Sequence, residues 1–112
     1  MAKTLTIRTP RSFSAQAETA ARLLEALASP RRLMILCELA EGERSVGELL
    51  PVVGLRQAAL SQHLARLRED GVVRTRRASQ RIFYRLASPA AVAVINTLAG
   101  IFCPPGKSRR WS

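Results

Sequence analysis

The sequence predicts a mainly α-helical domain that carries one β-hairpin. Its 112 residues can build one hydrophobic core and leave little room for a second. Apolar residues recur at helical spacing along most of the chain, and one stretch near residue 80 is instead rich in β-branched and aromatic side chains. We therefore expect four helices, a hairpin and a fifth helix within residues 14–103.

The first two helices are indicated by their caps. Ser14 is the expected N-cap of the first helix, and Ser29 followed by Pro30 begins the second. An apolar stripe at helical spacing follows each cap and is expected to face the core. The stripes consist of Ala20, Leu23, Leu24 and Leu27 in the first helix and of Leu33, Leu36, Cys37 and Ala40 in the second.

The stretch SVGELL predicts a short third helix. Ser45 and Glu48 have the spacing of a capping box, in which each side chain accepts a hydrogen bond from the backbone of the other residue. Pro51 has no backbone N–H, and its ring clashes with the preceding turn. We expect it to shorten or kink this helix before Gly54 ends it.

A fourth helix is predicted at about Gln57 to Asp70, and its two faces differ. Leu60, Leu64 and Leu67 share one side of the helical wheel and are expected to face the core. The opposite side is small and polar and lacks the alternating charges of a solvated face. Such a face suits a helix that enters a groove and offers hydrogen bonds to base edges. Its residues are Ala58, Gln62, Ala65 and Arg66, flanked by Ala59, Ser61 and His63.

The segment VVRTRRASQRIFYRL predicts a β-hairpin with a polar turn at Ala78-Ser79-Gln80. It contains arginines and no carboxylate, so its guanidinium groups are expected to repel one another unless a polyanion neutralises them. A basic hairpin that directly follows a two-helix unit is typical of the wing of a winged helix-turn-helix domain. The arginines are Arg74, Arg76, Arg77, Arg81 and Arg85.

The last predicted helix, about Pro89 to Phe102, is apolar on nearly every side. Such a helix is not stable on the surface of a monomer. Burial against the same helix of a second copy, joined by the first helix, predicts a homodimer. An internal position in the core is the alternative.

The charge distribution indicates a polyanionic partner. Lys and Arg number 18 against 8 Asp and Glu, the net charge is +10, and Asp70 is the last acidic residue. The longest apolar run, AAVAVINTLAGIFC, is too short to span a bilayer. We expect a soluble protein that binds nucleic acid and no membrane, with a flexible basic arm at residues 1–13 and a short basic tail at residues 104–112. Two cysteines without a signal-peptide core favour the reducing cytoplasm.

These segments together resemble the ArsR family of bacterial transcriptional regulators. The resemblance covers about residues 17–103 and rests on LLEALASPRRLMILCELAEGERSVGELL, ALSQHLARLREDGVV and RRASQRIFYRL. It implies a winged helix-turn-helix homodimer that represses genes by binding double-stranded operator DNA and releases it when an inducer is sensed. Two recognition helices related by a two-fold axis predict an operator that is an inverted repeat. The expected DNA contacts are Arg56, Gln57, Ala58, Ser61, Gln62, His63, Arg66, Arg76, Arg77 and Arg81.

The sequence departs from the metal-sensing members of that family. SVGELL lacks the cysteine pair that arsenic- and cadmium-type sensors carry in the third helix, and SPAAVAVINTLAG lacks the Asp and His ligands of the zinc type. Cys37, Cys103 and His63 are too few for a closed zinc site. We therefore expect no metal and no cofactor. Arg56 stands where many relatives have a serine N-cap, so the fourth helix is expected to lack that cap.

The two cysteines match a narrower branch, the sulfide- and persulfide-responsive repressors of the SqrR and BigR type. That resemblance implies that Cys37 and Cys103 form a dithiol sensor, and that bridging by reactive sulfur species lifts repression. Cysteine is also a common core residue, and Cys37 lies on an apolar stripe. A simple disulfide formed under peroxide, or a response to another ligand, is the alternative within the family.

Two other classes of function fit less well. A cysteine enzyme needs a base beside its thiol, and the only histidine, His63, lies on the fourth helix, where it either bonds a phosphate or braces the helix. We expect no enzyme. An RNA or single-strand binder normally presents aromatic platforms, whereas aromatic residues make up 4% of the chain. Duplex DNA is therefore the expected partner, and a nucleic-acid-binding protein without a sensor is a further alternative.

Overall fold

The computed structural model describes residues 10–103, and side chains from residue 13 onward. Residues 1–9 of the basic arm expected at residues 1–13, and the whole expected tail at residues 104–112, lie outside the described residues. Within them, the predicted order of helices and hairpin is confirmed, and one short strand is added. The elements are α1 (Pro10–Leu27), α2 (Pro30–Ala40), β1 (Arg44–Ser45), α3 (Val46–Val53), α4 (Gln57–Glu69), β2 (Val73–Ala78), β3 (Arg81–Leu86) and α5 (Pro89–Phe102).

The predicted start of α1 is wrong. The helix begins at Pro10, so Ser14 lies inside it and is not its N-cap, and residues 10–13 are helical. Proline suits the first helical position, because its fixed φ is helical and its missing N–H would have no partner there. The apolar stripe also needs correction, since Leu24 is 56% exposed while Ala26 is buried in its place.

The caps of α2 and α3 are confirmed. The Ser29 hydroxyl accepts a hydrogen bond from the backbone N–H of Arg32 at 3.2 Å. In the capping box, the Ser45 N–H donates to Glu48 Oε1 at 2.9 Å, and the Glu48 N–H donates to Ser45 Oγ at 3.3 Å. The bond from the Ser45 backbone is the main reason that the pKa of Glu48 is lowered. Pro51 lies inside α3, which ends after 8 residues at Gly54 in the left-handed conformation.

The core forms where α2, α3 and α4 meet the base of the hairpin and one face of α5. Leu60, Leu64 and Leu67 of α4 are fully buried, as the helical wheel predicts. They pack with buried side chains of α2 and α5, so α4 is held with its opposite face toward solvent. The other large side chains of this cluster that are fully buried are Ile35, Leu36, Leu49, Val53, Val72, Val73 and Ile95.

The hairpin belongs to a three-stranded antiparallel sheet with the order β1-β3-β2. Its turn is Ser79-Gln80, and Ser79 has a φ of 62°. The strand β1 was not predicted, because two residues carry no periodicity. It pairs Arg44 with Tyr84 and Ser45 with Phe83. The hairpin is therefore attached to the segment that enters α3.

Only one face of α5 is buried in the described chain. Ala91, Ile95 and Ala99 pack into the molecule, and α5 lies against α2. Ile101 and Phe102 are 62% and 68% exposed. The alternative of a fully internal α5 is therefore wrong for the single chain. Within residues 10–103, no helix has the length and apolar character needed to cross a membrane.

Candidate DNA-binding surface and cysteine pair

The exposed face of α4 carries the polar residues that the sequence singled out. Gln57, Ala58, Ser61, Gln62 and Arg66 are all exposed. The core leucines on the other side produce this orientation, because one helix face cannot be buried without turning the other outward. The face is continuous along the helix and projects no acidic group before Glu69.

The start of α4 has no side-chain cap. Arg56 occupies the N-cap position in an extended conformation, and its side chain makes no capping hydrogen bond. The expectation from the sequence is therefore confirmed. Backbone N–H groups in the first turn of a helix have no intrahelical acceptor, so those of α4 remain available to an external one. At the other end, Arg66 Nε donates to Asp70 Oδ2 at 2.9 Å.

His63 lies on α4 beside the N-terminal end of α2. Its Nδ1 is 3.5 Å from Arg32 Nη1, so the ring contacts a side chain of α2. The pKa of His63 is lowered, first by burial of the ring and then by the positive charges of Arg32 and Arg31. In the neutral ring, an unprotonated Nδ1 can accept a hydrogen bond from the Arg32 guanidinium. In the protonated ring both nitrogens carry hydrogen, so Nδ1 cannot accept one.

The lowered pKa of His63 predicts a loss of stability in mild acid. The unfolded chain takes up this proton more readily than the folded chain, so stability is full above the ordinary histidine pKa of 6.5 and falls as the pH drops below it. Urea unfolding at about pH 7 and about pH 5 measures the difference. The His63→Gln side chain keeps a hydrogen-bond acceptor but does not titrate. The free energy of unfolding of this variant should therefore fall less between the two pH values than that of the wild type. An equal fall in both proteins would contradict the prediction.

The wing contains a cluster that the sequence did not reveal. Arg76 Nε donates to both carboxylate oxygens of Glu43 at 2.9 Å, and Arg81 Nη2 donates to Ser45 Oγ at 2.9 Å. Both guanidinium groups also lie 5.0 Å from the centre of the Phe83 ring, within cation–π range. The expectation that only a polyanion neutralises the wing arginines is therefore wrong for Arg76, which pairs with a carboxylate outside the hairpin.

This cluster divides the arginines of the wing into two groups. Arg76 and Arg81 are held against the segment between α2 and α3. Arg77 lies on the other face of the hairpin, paired with Ile82, and is exposed. Arg74 and Arg85 are exposed and directly opposite each other. Two like charges in a cross-strand pair destabilise the hairpin, and a bound anion would relieve that repulsion.

The two cysteines lie on helices that pack together, Cys37 on α2 and Cys103 at the C-cap of α5. Cys37 is 6% exposed and lines an apolar pocket of about 240 Å³. Cys103 ends α5, is half-buried, and donates its backbone N–H to the Ala99 carbonyl at 2.7 Å. Ala99 lines the same pocket as Cys37, and both cysteines are thiols. The other residues of the pocket are Leu33, Ile95, Leu98 and Phe102.

The described residues offer no site for a bound metal. Between residues 10 and 103, no group of three or more His, Cys, Asp and Glu side chains is placed to hold an ion. Glu38 is buried in α2, and neither it nor Cys37 belongs to such a group.

Comparison with known proteins identifies the family. The profile described as "Bacterial regulatory protein, arsR family" matches residues 29–75. The chain is 52% identical over 90 residues to the Biofilm growth-associated repressor of Agrobacterium fabrum, spanning 80% of this chain and 77% of that protein. This chain belongs to the ArsR family. Another relative of this ArsR-family chain, the Transcriptional activator HlyU of Vibrio cholerae, is 52% identical over 81 residues, or 72% and 75% of the two chains.

Solved structures confirm the fold of this ArsR-family chain. The transcriptional repressor BigR from Xylella fastidiosa superposes with a TM-score of 0.79 at 47% identity, covering 85% of this chain and 97% of that one. A homodimeric winged helix-turn-helix domain, Mb0332 from Mycobacterium bovis, has a TM-score of 0.70 at 31% identity over 87% and 89% of the two chains. The predicted winged helix-turn-helix architecture is therefore confirmed.

Proposed function

We propose that this chain is a dimeric repressor that binds operator DNA and releases it when reactive sulfur species join Cys37 to Cys103. The observation that carries the sensor is the placement of Cys37 on α2, where it lines an apolar pocket with residues of α5, and of Cys103 at the end of that same α5. The cysteines are 66 positions apart in the sequence, and the fold brings them to helices that pack together. One helix leads into the DNA-binding unit, and the other presents an apolar surface.

DNA binding is supported by the exposed face of α4 and the exposed arginines of the wing. We propose that Gln57, Ser61 and Gln62 contact base edges, with Ala58 permitting close approach. Arg56, Arg66 and Arg77 then contact phosphates. We assign His63, Arg76 and Arg81 to positioning these elements, because each contacts a side chain of a different segment, whereas Arg66 pairs with Asp70 at the end of its own helix. The net charge of +10 favours association with DNA.

Repression is supported by the names of two similar proteins, the Agrobacterium relative and BigR. HlyU is named an activator, so a reporter gene behind the operator tests the sign of regulation. Expression of this chain should lower reporter output, and sulfane sulfur should restore it. A rise in output on expression would show activation instead.

A dimer is supported by large apolar side chains exposed on α1 and α5. Phe13 and Leu24 lie on α1, and Ile101 and Phe102 lie on α5. Burial of such side chains contributes about 1.5–3 kcal/mol each, and a two-fold axis buries every one twice. The Mycobacterium structure is described as homodimeric. Two copies of α4 then contact successive major grooves of an inverted repeat.

Phe102→Glu is expected to convert the dimer to a monomer. The substitution places a carboxylate where an apolar side chain would be buried, and an unpaired buried charge is strongly unfavourable. Sedimentation velocity measures the change, and operator affinity should fall with it. Ile82→Glu is the matched control, because Ile82 is an exposed apolar residue of the wing. A dimeric Phe102→Glu protein would contradict this interface.

The chemistry of the switch is thiolate attack on sulfane sulfur. One cysteine thiolate attacks the outer sulfur of a hydropersulfide, RSSH, and RS⁻ leaves with a proton as RSH. The new persulfide attacks the outer sulfur of a second RSSH in the same way. The other cysteine then attacks the middle sulfur of the resulting chain and displaces hydrogen sulfide. Two thiols and two RSSH thus give a trisulfide bridge, two RSH and one H₂S.

We propose that the separation of the two cysteines makes the sensor selective for sulfane sulfur over peroxide. A disulfide requires the two Cα atoms to lie within about 7 Å, and a bridge with an added sulfur spans a longer gap. The thiolate must form near neutral pH for the attack to be fast. We place the chain in the cytoplasm, where the thiols stay reduced until they are challenged.

The test combines mass spectrometry with DNA binding. The reduced protein should bind an operator duplex more tightly than a single strand, with an affinity that falls by roughly one power of salt concentration per phosphate contacted. After hydropersulfide treatment, the intact mass should show a bridge one sulfur heavier than a disulfide, and the operator should be released. Release by peroxide with a simple disulfide would favour the alternative oxidant. No release by either reagent would refute the proposed sensor.

A further inference from the structure

We propose that α2 transmits the state of the cysteine pair to DNA through two side-chain contacts, one at each end. Arg32 contacts His63 of the recognition helix, and Glu43 contacts Arg76 of the wing. This inference rests on the proposed function and names the residues that carry its regulation. Arg32 and Glu43 are positioning residues, because each acts on DNA through another side chain.

The contact at the N-terminal end joins three helices. Arg32 Nε donates to the Ala26 carbonyl at 2.7 Å, and Nη2 donates to the Glu25 carbonyl at 3.3 Å. The remaining nitrogen, Nη1, lies 3.5 Å from His63 Nδ1. The planar guanidinium of Arg32 therefore contacts both the end of α1 and a residue of α4, and it limits their movement relative to each other. A displacement of this end of α2 changes the position of α4.

The contact at the other end reaches the wing. Glu43 lies three residues beyond the end of α2 at Ala40, and its carboxylate accepts from Arg76 Nε. Arg76 also lies over Phe83, and Phe83 pairs with Ser45 of β1. The segment that follows α2 thus holds one strand of the hairpin by its side chain and the other by its backbone.

Cys37 lies between these two contacts. It is five residues after Arg32 and six before Glu43, on a helix of 11 residues. A short helix packed on both sides moves as a rigid body. A covalent link from Cys37 to Cys103 changes how α2 rests on α5, so both ends of α2 move relative to the core. The contacts at those ends convert this motion into displacement of α4 and of the wing.

We expect the fold to survive the loss of either contact. The Glu43–Arg76 pair is partly exposed, and such pairs contribute little to stability. The wing is also held by the pairing of β1 with β3 and by the Arg81–Ser45 hydrogen bond. Loss of the two contacts should therefore leave the reduced protein folded while uncoupling the cysteines from DNA.

The experiment compares operator affinity in the reduced and the bridged protein. The ratio of these two affinities measures coupling, and typical couplings are about 5- to 150-fold. In Arg32→Lys/Glu43→Gln, the reduced protein should bind within about threefold of wild type, and the ratio should fall below about threefold. Each single variant should give an intermediate ratio, which keeps the test usable if the double variant is unstable.

The matched control is Arg31→Lys/Glu41→Gln. It makes the same chemical changes at exposed neighbouring positions, one in α2 and one at its C-cap, and it should keep the wild-type ratio. A wild-type ratio in Arg32→Lys/Glu43→Gln would overturn the coupling proposal and leave the sensor standing. If the reduced double variant bound the operator as weakly as the bridged wild type does, the two contacts would have a merely structural role. That result would also overturn the coupling proposal. Absence of release in the wild type would instead overturn the sensor, together with the coupling that rests on it.

Discussion

Cys103→Ser should bind operator DNA as the wild type does and stay bound after hydropersulfide treatment. Cys103 is half-buried at the end of α5, where a hydroxyl is tolerated, and serine cannot form a sulfur bridge. The expected loss is the whole response, so it is the largest effect predicted here. A DNA-binding titration before and after treatment measures it, with intact-mass spectrometry to confirm that no bridge forms.

The second cysteine requires a different substitution. Cys37 is buried in the hydrophobic core, so we choose Cys37→Ala, which keeps an apolar side chain at this position. It should likewise bind DNA and ignore hydropersulfide. If Cys103→Ser protein still released the operator on treatment, the dithiol mechanism would be refuted in favour of a single-thiol or ligand-induced one.

Gln62→Ala should lose discrimination between operator and random DNA by about 1–3 kcal/mol, as expected for one well-made base contact. Gln62 is exposed at the centre of the face of α4, opposite the buried leucines. Ser61→Ala should act in the same direction. Competition titrations with operator and random duplexes measure the change, because the effect should appear in their ratio.

Arg77→Ala is the comparison that separates contacts that determine sequence specificity from contacts that contribute only to overall DNA affinity. Arg77 is exposed and lies on the hairpin face away from the Glu43 cluster. Its loss should weaken binding to the operator and random duplexes nearly equally. It should also lower the slope of log affinity against log salt concentration by about one. Arg76 and Arg81 are poorer choices, since they also hold the wing in place. A changed base preference in Arg77→Ala with an unchanged one in Gln62→Ala would reverse the assignment of helix and wing.

Local signals in the sequence predicted most of the secondary structure. The cap at Ser29, the Ser45–Glu48 box and the left-handed Gly54 depend on residues within one turn of each other. The buried face of α4 follows from its period, because three leucines on one side have to be buried together. The start of α1 was missed because Pro10 and Ser14 are both acceptable near a helix N-terminus.

The contacts between elements on which the coupling proposal rests were decided by tertiary structure. The partners in the Arg32–His63 and Glu43–Arg76 contacts are 31 and 33 positions apart, and no period or spacing links such residues. The Glu43–Arg76 pair forms because β1 attaches the hairpin to the segment after α2, and β1 is too short for its sequence to predict. The exposure of Leu24, Ile101 and Phe102 likewise depends on how α1 and α5 pack against the core. Sequence by itself determined which residues are apolar, basic or nucleophilic; only the packing of the helices decides which of them share a surface, because side chains distant in sequence meet through the placement of whole elements.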